Sequence, residues 1–181
     1  MPEAGRWDAV RLDGDGFVLR RWRADDLDAL LRHADDPAIV RGLSDRFPNP
    51  YTRADGEAFL AGEVVDLSQP VLAIEIDGEA CGSIGIRAPG SGERAHAAEL
   101  GYWLGRAHWN RGVMRRAVSL YVPWVMDALA LSRVQANVLD SNPASAQVLL
   151  ACGFAEEGRL RAAIRKSDGL HALCVFARLR D

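Results

Sequence analysis

Lysine is nearly missing from this chain: of 22 basic residues only Lys166 is a lysine. We read this as compositional bias, but it has a chemical consequence. Arginine keeps its charge at all accessible pH and forks onto phosphate oxygens. Cysteine is scarce too. Cys81, Cys152 and Cys174 sit singly among apolar or small neighbours, without CxxC or Cys/His metal-ligand spacing. This predicts reduced, mostly buried thiols of a cytoplasmic protein and no bound metal. No apolar run approaches the ~18 residues that span a bilayer. Residues 1–13 are acidic and glycine-dotted, lack the basic and apolar regions of a signal peptide, and are expected to be a flexible lead-in. Positive charge is not in excess. A net charge of −3 and a pI near 5.8 argue against nucleic-acid binding through a basic surface. Repeats and low-complexity segments are absent.

What remains is enough for one domain spanning residues 1–181, with 49% hydrophobic and 26% charged residues. Residues 16–22 alternate weakly and predict a first strand. Asp25 and Asp26 open a helix over 27–33, with leucines at helical spacing. Pro37, Pro48 and Pro50 break residues 36–53 into loop or short helical turns. Thr52 opens a second helix over about 53–66, although Thr52 and Glu57 lack the capping-box spacing. Strands follow at 70–76 and 80–86, joined by the turn signal Asp77-Gly78. Residues 89–92 form a flexible loop. A strand at 97–104 precedes a long helix at 111–131, in which Pro123 should kink the chain. A strand at 133–138, a helix from Asn142-Pro143 to Ala151 stopped by Gly153, and strands at 154–158 and 170–179 complete the order. Hairpin-linked strands dominate the middle, so the class is α/β (α+β), with a mostly antiparallel sheet of about seven strands and about four helices.

The most informative stretch is Glu99-Leu-Gly-Tyr-Trp-Leu-Gly-Arg-Ala-His-Trp-Asn-Arg-Gly-Val-Met-Arg-Arg-Ala117. It reads as strand, short loop and helix start. The first N–H groups of a helix have no internal partner, and the peptide dipoles add positive potential there. Arg111, Arg115 and Arg116 crowd that end against a like-signed field. A bound polyanion would resolve the conflict, and Gly112 admits close backbone approach.

Together the motifs resemble the GCN5-related N-acetyltransferases (GNAT), particularly the branch of ribosomal-protein N-terminal acetyltransferases of RimJ/RimL type. The resemblance covers nearly the whole chain. It rests on Val18-Leu-Arg-Arg-Trp22 with Asp25-Asp26, on Glu99 to Leu104, on Trp109-Asn-Arg-Gly-Val-Met114, on Arg133-Val-Gln-Ala-Asn137, on Asp140-Ser-Asn-Pro-Ala-Ser145 and on Cys152-Gly-Phe154. It implies a single GNAT-like domain whose central strands splay to hold acyl-CoA. The pantetheine arm would pair with the backbone of Tyr102, Trp103 and Leu104. The pyrophosphate would lie on the amides of Arg111, Gly112, Val113, Met114 and Arg115. Asn142 would face the pantetheine, and Ser145 the sulfur. The implied reaction is direct acetyl transfer from acetyl-CoA to a primary amine, a protein N-terminal α-amine being favoured. Small amines, a succinyl-CoA donor and a catalytically silent acyl-CoA sensor are the alternatives.

An α-amine, with a pKa near ~7.7–8.0, is partly free base at neutral pH, whereas on the order of one lysine in a thousand is. A weak base is enough for an N-terminal substrate. Glu99 is the candidate base, sharing a strand face with Gly101 and Trp103. It can equally be a strand-end carboxylate paired with an arginine. His96 is an alternative, ahead of His171 and His108. Asn142 also suits a helix N-cap with Pro143 at the first helical position. Cys152, at a helix end, is a poor nucleophile. Many relatives carry a tyrosine acid where Leu149 stands, so that acid is excluded. Arg116 replaces a frequent acid and could favour a 3′-phosphate or an acidic acyl group. Residues 36–53 and the basic loop 159–166 are expected to flank the cleft. Strand 170–179 offers an exposed edge for a homodimer.

Overall fold

Capping and turn chemistry set many element boundaries in the computed structural model, which describes residues 7–87 and 90–180. The strands are β1 (Arg11–Gly14), β2 (Phe17–Arg21), β3 (Leu72–Ile76), β4 (Glu79–Arg87), β5 (Ala97–Leu104), β6 (Arg133–Leu139), β7 (Ala155–Lys166) and β8 (Gly169–Leu179). The helices are α1 (Leu27–Ala34), α2 (Pro37–Arg41), α3 (Arg53–Leu60), α4 (Val113–Ala128) and α5 (Pro143–Ala151). One eight-stranded sheet runs β1-β2-β3-β4-β5-β6-β8-β7. All its neighbours are antiparallel except β5 and β6.

That exception makes the site. Parallel pairing joins Ala97 to Arg133, Ala98 to Val134 and Glu99 to Gln135, and then stops. Both strands continue, β5 to Leu104 against β4 and β6 to Leu139 against β8. The expected splay therefore opens beyond Glu99.

Helices cover both sheet faces, which is why β4 is buried from Ala80 to Ile86. On one face Leu19, Leu72, Ile74, Ile84, Leu100 and Val134 pack with Val118, Tyr121 and Val125 of α4 and Leu149 of α5. On the other, Leu30 and Ala34 of α1 pack with Tyr51, Phe47, Phe59 and Trp103. A buried ionic network pins α1 to the sheet. Arg20 donates to both carboxylate oxygens of Asp26, at 2.7 and 2.8 Å, and also to Glu75. Arg20 and Asp26 are buried, and Asp26 also accepts from the Arg23 amide at 2.8 Å. Breaking such a pair leaves an uncompensated buried charge, costing about 3–5 kcal/mol. The Arg-Arg-Trp…Asp-Asp motif thus sets where α1 sits.

Several sequence expectations change. The sheet has eight strands, because Arg11–Gly14 forms a hairpin with β2. Residues 1–6 of the expected lead-in lie outside the described residues. Trp7 is buried and packs edge-on against Trp124, at 5.6 Å between ring centroids. Among the described residues there are five α-helices, the additional one being α2, where Asp36 caps and Pro37 takes the first position. α3 starts at Thr52 through a capping box whose acid is Asp55, three residues on, rather than Glu57. α3 also ends at Leu60, and Pro123 lies within α4 without ending it. In the expected flexible loop 89–92, Pro89 lies outside the described residues. Residues 159–166 are not a loop but part of β7, paired along β8 with two register shifts. β8 is flanked by β6 and β7 and has no free edge, so the expected dimer edge does not exist there; β1 and β7 are the edge strands.

Candidate active site

The gap between β5 and β6 is bounded by the end of β5, the start of α4 and the start of α5. The chain leaves β5 through Gly105, whose amide donates to the Cys81 carbonyl at 2.7 Å. It makes a 3-10 turn at Arg106–His108 and enters α4 through Asn110 and Gly112, both with positive φ (57° and 68°). A side chain is tolerated poorly at such angles, which explains a glycine at the helix entry. Trp109 fixes the turn by donating its indole N–H to the Leu104 carbonyl at 2.7 Å.

The first bond of α4 is Arg116 N–H to the Gly112 carbonyl, at 3.1 Å. Among the described residues no side chain caps Gly112, and none of the Val113, Met114 and Arg115 amides donates to a protein acceptor. Three aligned donors at the positive end of a 16-residue helix have the arrangement that suits an anion. Arg111 and Arg115 are exposed, without an ion pair among the described residues. Arg116 is not part of this set. It donates to the backbone carbonyls of Asp15 and Arg111, at 3.2 and 3.1 Å, and lies 3.8 Å from the Asp15 carboxylate. Its charge is engaged at the β1–β2 turn. A cavity of about 420 Å³ beside this turn is lined by Asp13, Asp15, Arg115 and Arg116, with no residue of β5, β6 or α5.

Across the gap, Asn142 caps α5 by accepting the Ser145 amide at 3.2 Å, and donates to the Gly42 carbonyl at 3.3 Å. It thereby ties α5 to the segment after α2. Ser145 Oγ lies 2.8 Å from the Tyr102 hydroxyl, which also reaches the Ser145 carbonyl at 3.3 Å. Burial pushes the Tyr102 phenol up to about 12, with Ser145 opposing the shift. The sequence reading used Tyr102 only for its backbone and looked for a tyrosine at position 149, where Leu149 is fully buried. The signal available was alternation: even-numbered β5 residues face α4 and α5, which puts Tyr102 on the side of Ser145.

Glu99 occupies the last paired position before the strands part. Its carboxylate is one-third exposed and 3.5 Å from Arg87, itself 75% exposed. Trp103, on the same strand face, packs edge-on with Phe47 at 5.8 Å. Of the alternative bases, His96 is exposed at the foot of β5. His171 is held by Asp168 at 2.8 Å and Asp140 at 3.6 Å. Burial, then His33 and Arg111, push His108 below the usual histidine value. Cys152 is buried, with its thiol on the Arg115 carbonyl and the Ser119 hydroxyl at 3.4 Å.

Lys166 was not singled out by sequence. It is buried at the tip of the β7–β8 hairpin, with Nζ donating to the carbonyls of Leu43 at 2.6 Å, Val40 at 3.0 Å and Arg41 at 3.4 Å. Asp45 lies 3.3 Å away. The hairpin thereby clamps residues 40–45, the segment that takes the Asn142 bond and leads to Phe47.

Residues 17–155 match the model of the acetyltransferase (GNAT) domain. The chain is 27% identical over 171 residues to the uncharacterized N-acetyltransferase p20 of Bacillus licheniformis, covering 91% of this chain and 93% of that one. It is 32% identical over 84 residues to the ribosomal-protein-serine acetyltransferase of Escherichia coli, a match spanning 46% of this chain and 47% of the relative. Its fold superposes with a TM-score of 0.83 on a RimL ribosomal L7/L12 α-N-protein acetyltransferase in complex with coenzyme A, at 20% identity, covering 95% and 99% of the two chains. No helix among the described residues is long and apolar enough to cross a membrane. With an open β5–β6 gap leading to unpaired amides at the start of α4, the chain belongs to the GNAT family and is an acetyl-CoA-dependent N-acetyltransferase.

Proposed function

We propose that this enzyme acetylates the α-amine of a protein or peptide in the cytoplasm, with acetyl-CoA lying in the β5–β6 gap. The observation that carries the reading is the set of unpaired Val113, Met114 and Arg115 amides at the mouth of that gap. They fit the pyrophosphate, with Arg111 and Arg115 free to neutralise its charge. The β5 backbone at Tyr102 and Trp103 faces the gap beyond the last β6 pair and fits the pantetheine amides. The Leu104 carbonyl, taken by Trp109, does not add to this edge. Gly101 leaves room on the strand, since nothing lies within 4 Å of where a Cβ would stand.

Acetyl-CoA supplies an activated acetyl group as its thioester. Around it, Ser145 and Tyr102 form a two-hydroxyl chain at the start of α5. The Tyr102 phenol, protonated at any physiological pH, donates to Ser145 Oγ. The Ser145 proton is then free to point to the thiolate that leaves. A hydroxyl is a weak acid, so its role is to stabilise the thiolate by hydrogen bonding. Glu99, at the apex of the gap on the Trp103 face, accepts the proton of the attacking amine, directly or through water. An α-amine asks little of such a base, which suits a carboxylate already shared with Arg87. The transfer is direct, with no covalent enzyme intermediate.

The names of the relatives support a protein acceptor: one acts on a ribosomal-protein serine and another on the α-amine of L7/L12. A thiol-release assay with acetyl-CoA tests the reading on a panel of peptides with free or blocked N-termini, polyamines and amino acids. Turnover with free peptide N-termini, lost on blocking, is the expected result. Coenzyme A binding without turnover, or turnover with small amines alone, overturns it.

A further inference from the structure

Outside the β5–β6 gap, three side chains from distant parts of the sequence converge. His33 lies in the last turn of α1, Cys81 lies on β4 and His108 closes the 3-10 turn after β5. One ligand atom from each lies within 4.8 Å of the others. His33 Nε2 is 3.5 Å from Cys81 Sγ and 3.3 Å from Glu79 Oε2. The His33 and His108 rings are 5.6 Å apart between centroids. Cys81 is 1% exposed, and His108 Nδ1 is buried with no hydrogen-bond partner among the described residues. The packing is close enough that a Cβ on Gly105 would stand 2.7 Å from His33 Nδ1.

We propose that His33, Cys81 and His108, with Glu79 as fourth donor, form a binding site for a zinc-class divalent ion. Two nitrogens, a sulfur and a carboxylate oxygen are the donor set of tetrahedral Zn(II). With Zn–S near ~2.3 Å and Zn–N and Zn–O near ~2.0–2.1 Å, tetrahedral edges come to about 3.5 Å for N···S and about 3.4 Å for N···O. The His33–Cys81 separation matches the N···S edge and the three ligand atoms lie within 4.8 Å of one another, while Glu79, 3.3 Å from His33 but outside that group, completes the shell by turning its carboxylate away from Arg32.

Binding replaces the Cys81 S–H bond by a metal–S bond and releases one proton to solvent, and the charge of the ion stabilises the thiolate. One thiolate and the Glu79 carboxylate then balance the two positive charges. The ion links α1, the β3–β4 hairpin and the turn that ends three residues before Arg111. It is a structural ion that fixes the approach to the α4 anion site, and the inference does not rest on the acyl-transfer reading.

Co(II), added to chelator-stripped and reduced full-length protein, is the probe. The expected result is one equivalent bound at micromolar protein, with a thiolate-to-cobalt charge-transfer band in the near ultraviolet, intense visible bands of four-coordination and displacement by Zn(II). Cys81→Ser removes the charge-transfer band, while Cys174→Ala keeps it. His33→Gln and His108→Gln weaken binding at least tenfold. Circular dichroism shows whether each variant is folded, and the partly exposed His108 supplies an informative variant should Cys81→Ser not fold. A Zn(II)-dependent rise in thermal midpoint, absent with Mg(II) and in His108→Gln, gives a second readout. The proposal is overturned by no thiolate band at equimolar Co(II), by a band that survives Cys81→Ser, or by binding unchanged in both histidine variants.

Discussion

Replacing Lys166 by methionine tests how residues 40–45 are held. The ammonium is the shared donor for the Leu43, Val40 and Arg41 carbonyls, and its side chain is 6% exposed. Methionine keeps the length and fills the volume but donates nothing. The Leu43 and Val40 bonds are the short ones, and leaving each such carbonyl unpaired costs about 1–3 kcal/mol. The Asp45 pairing adds little, because that carboxylate is 45% exposed. Relief of burying a charge offsets part of the loss, which leaves roughly 2–4 kcal/mol. For a chain of this size that lowers the thermal midpoint by roughly 5–15 °C. The loss is local: residues 40–45 detach from the β7–β8 hairpin, and the Gly42–Asn142 and Phe47–Trp103 contacts loosen with them. Hydrogen exchange at amides 40–45 should rise, and KM for a peptide acceptor should rise well above that of wild type while KM for acetyl-CoA changes little. Asp45→Asn should move the midpoint by a small fraction of the Lys166→Met effect. A midpoint shift under about 2 °C with unchanged exchange at 40–45 would refute the clamp.

Further outcomes follow from the same geometry. Ser145→Ala should lower kcat by roughly 10–100-fold with folding intact, as expected for losing one charge-stabilising donor. Tyr102→Phe should cost less, and adding it to Ser145→Ala should cost nothing more; additive losses in steady-state kinetics would show that the two hydroxyls act separately. Because the Tyr102 phenol titrates near 12, the kcat profile of wild type should show no Tyr102 limb below about pH 11. Asp26→Ala should destabilise by about 3–5 kcal/mol in urea melts by stranding Arg20, whereas Arg20→Met together with Asp26→Leu should recover much of it. Arg32 first, then His33, hold the Glu79 carboxyl below its usual value. A depressed carboxylate stabilises above its unfolded-state pKa and loses that contribution as pH falls through the folded value. Glu79→Gln should therefore flatten the acid limb of thermal midpoint against pH, and an unchanged limb would place the acid sensitivity elsewhere.

The resemblance brought the fold within reach because its carriers are local. Glycine at the α4 entry, Asn142-Pro143 at the α5 start and alternation along β5 each dictate a conformation over a few residues. What the sequence concealed lies in pairings set by distance. Thr52 read as a weak helix start because Glu57 was weighed instead of Asp55, an error of spacing. Residues 159–166 read as a loop because arginines and alanines carry no strand periodicity; pairing with β8 overrode propensity. Strand 170–179 read as an edge because sheet order is not sequence order.

By itself the sequence determined the class, the glycine entry to α4 and the N-cap at Asn142. All depend on neighbours within a turn or a strand. Only the tertiary structure decided that Arg116 serves the β1–β2 turn, that Tyr102 meets Ser145 across 43 residues, that the single lysine clamps a loop 123 residues away, and that His33, Cys81 and His108 share one small volume. Those arrangements exist only once the sheet has brought distant segments together. The lone cysteine that spacing set aside as a plain buried thiol, Cys81, thereby becomes the center of the proposed ion site.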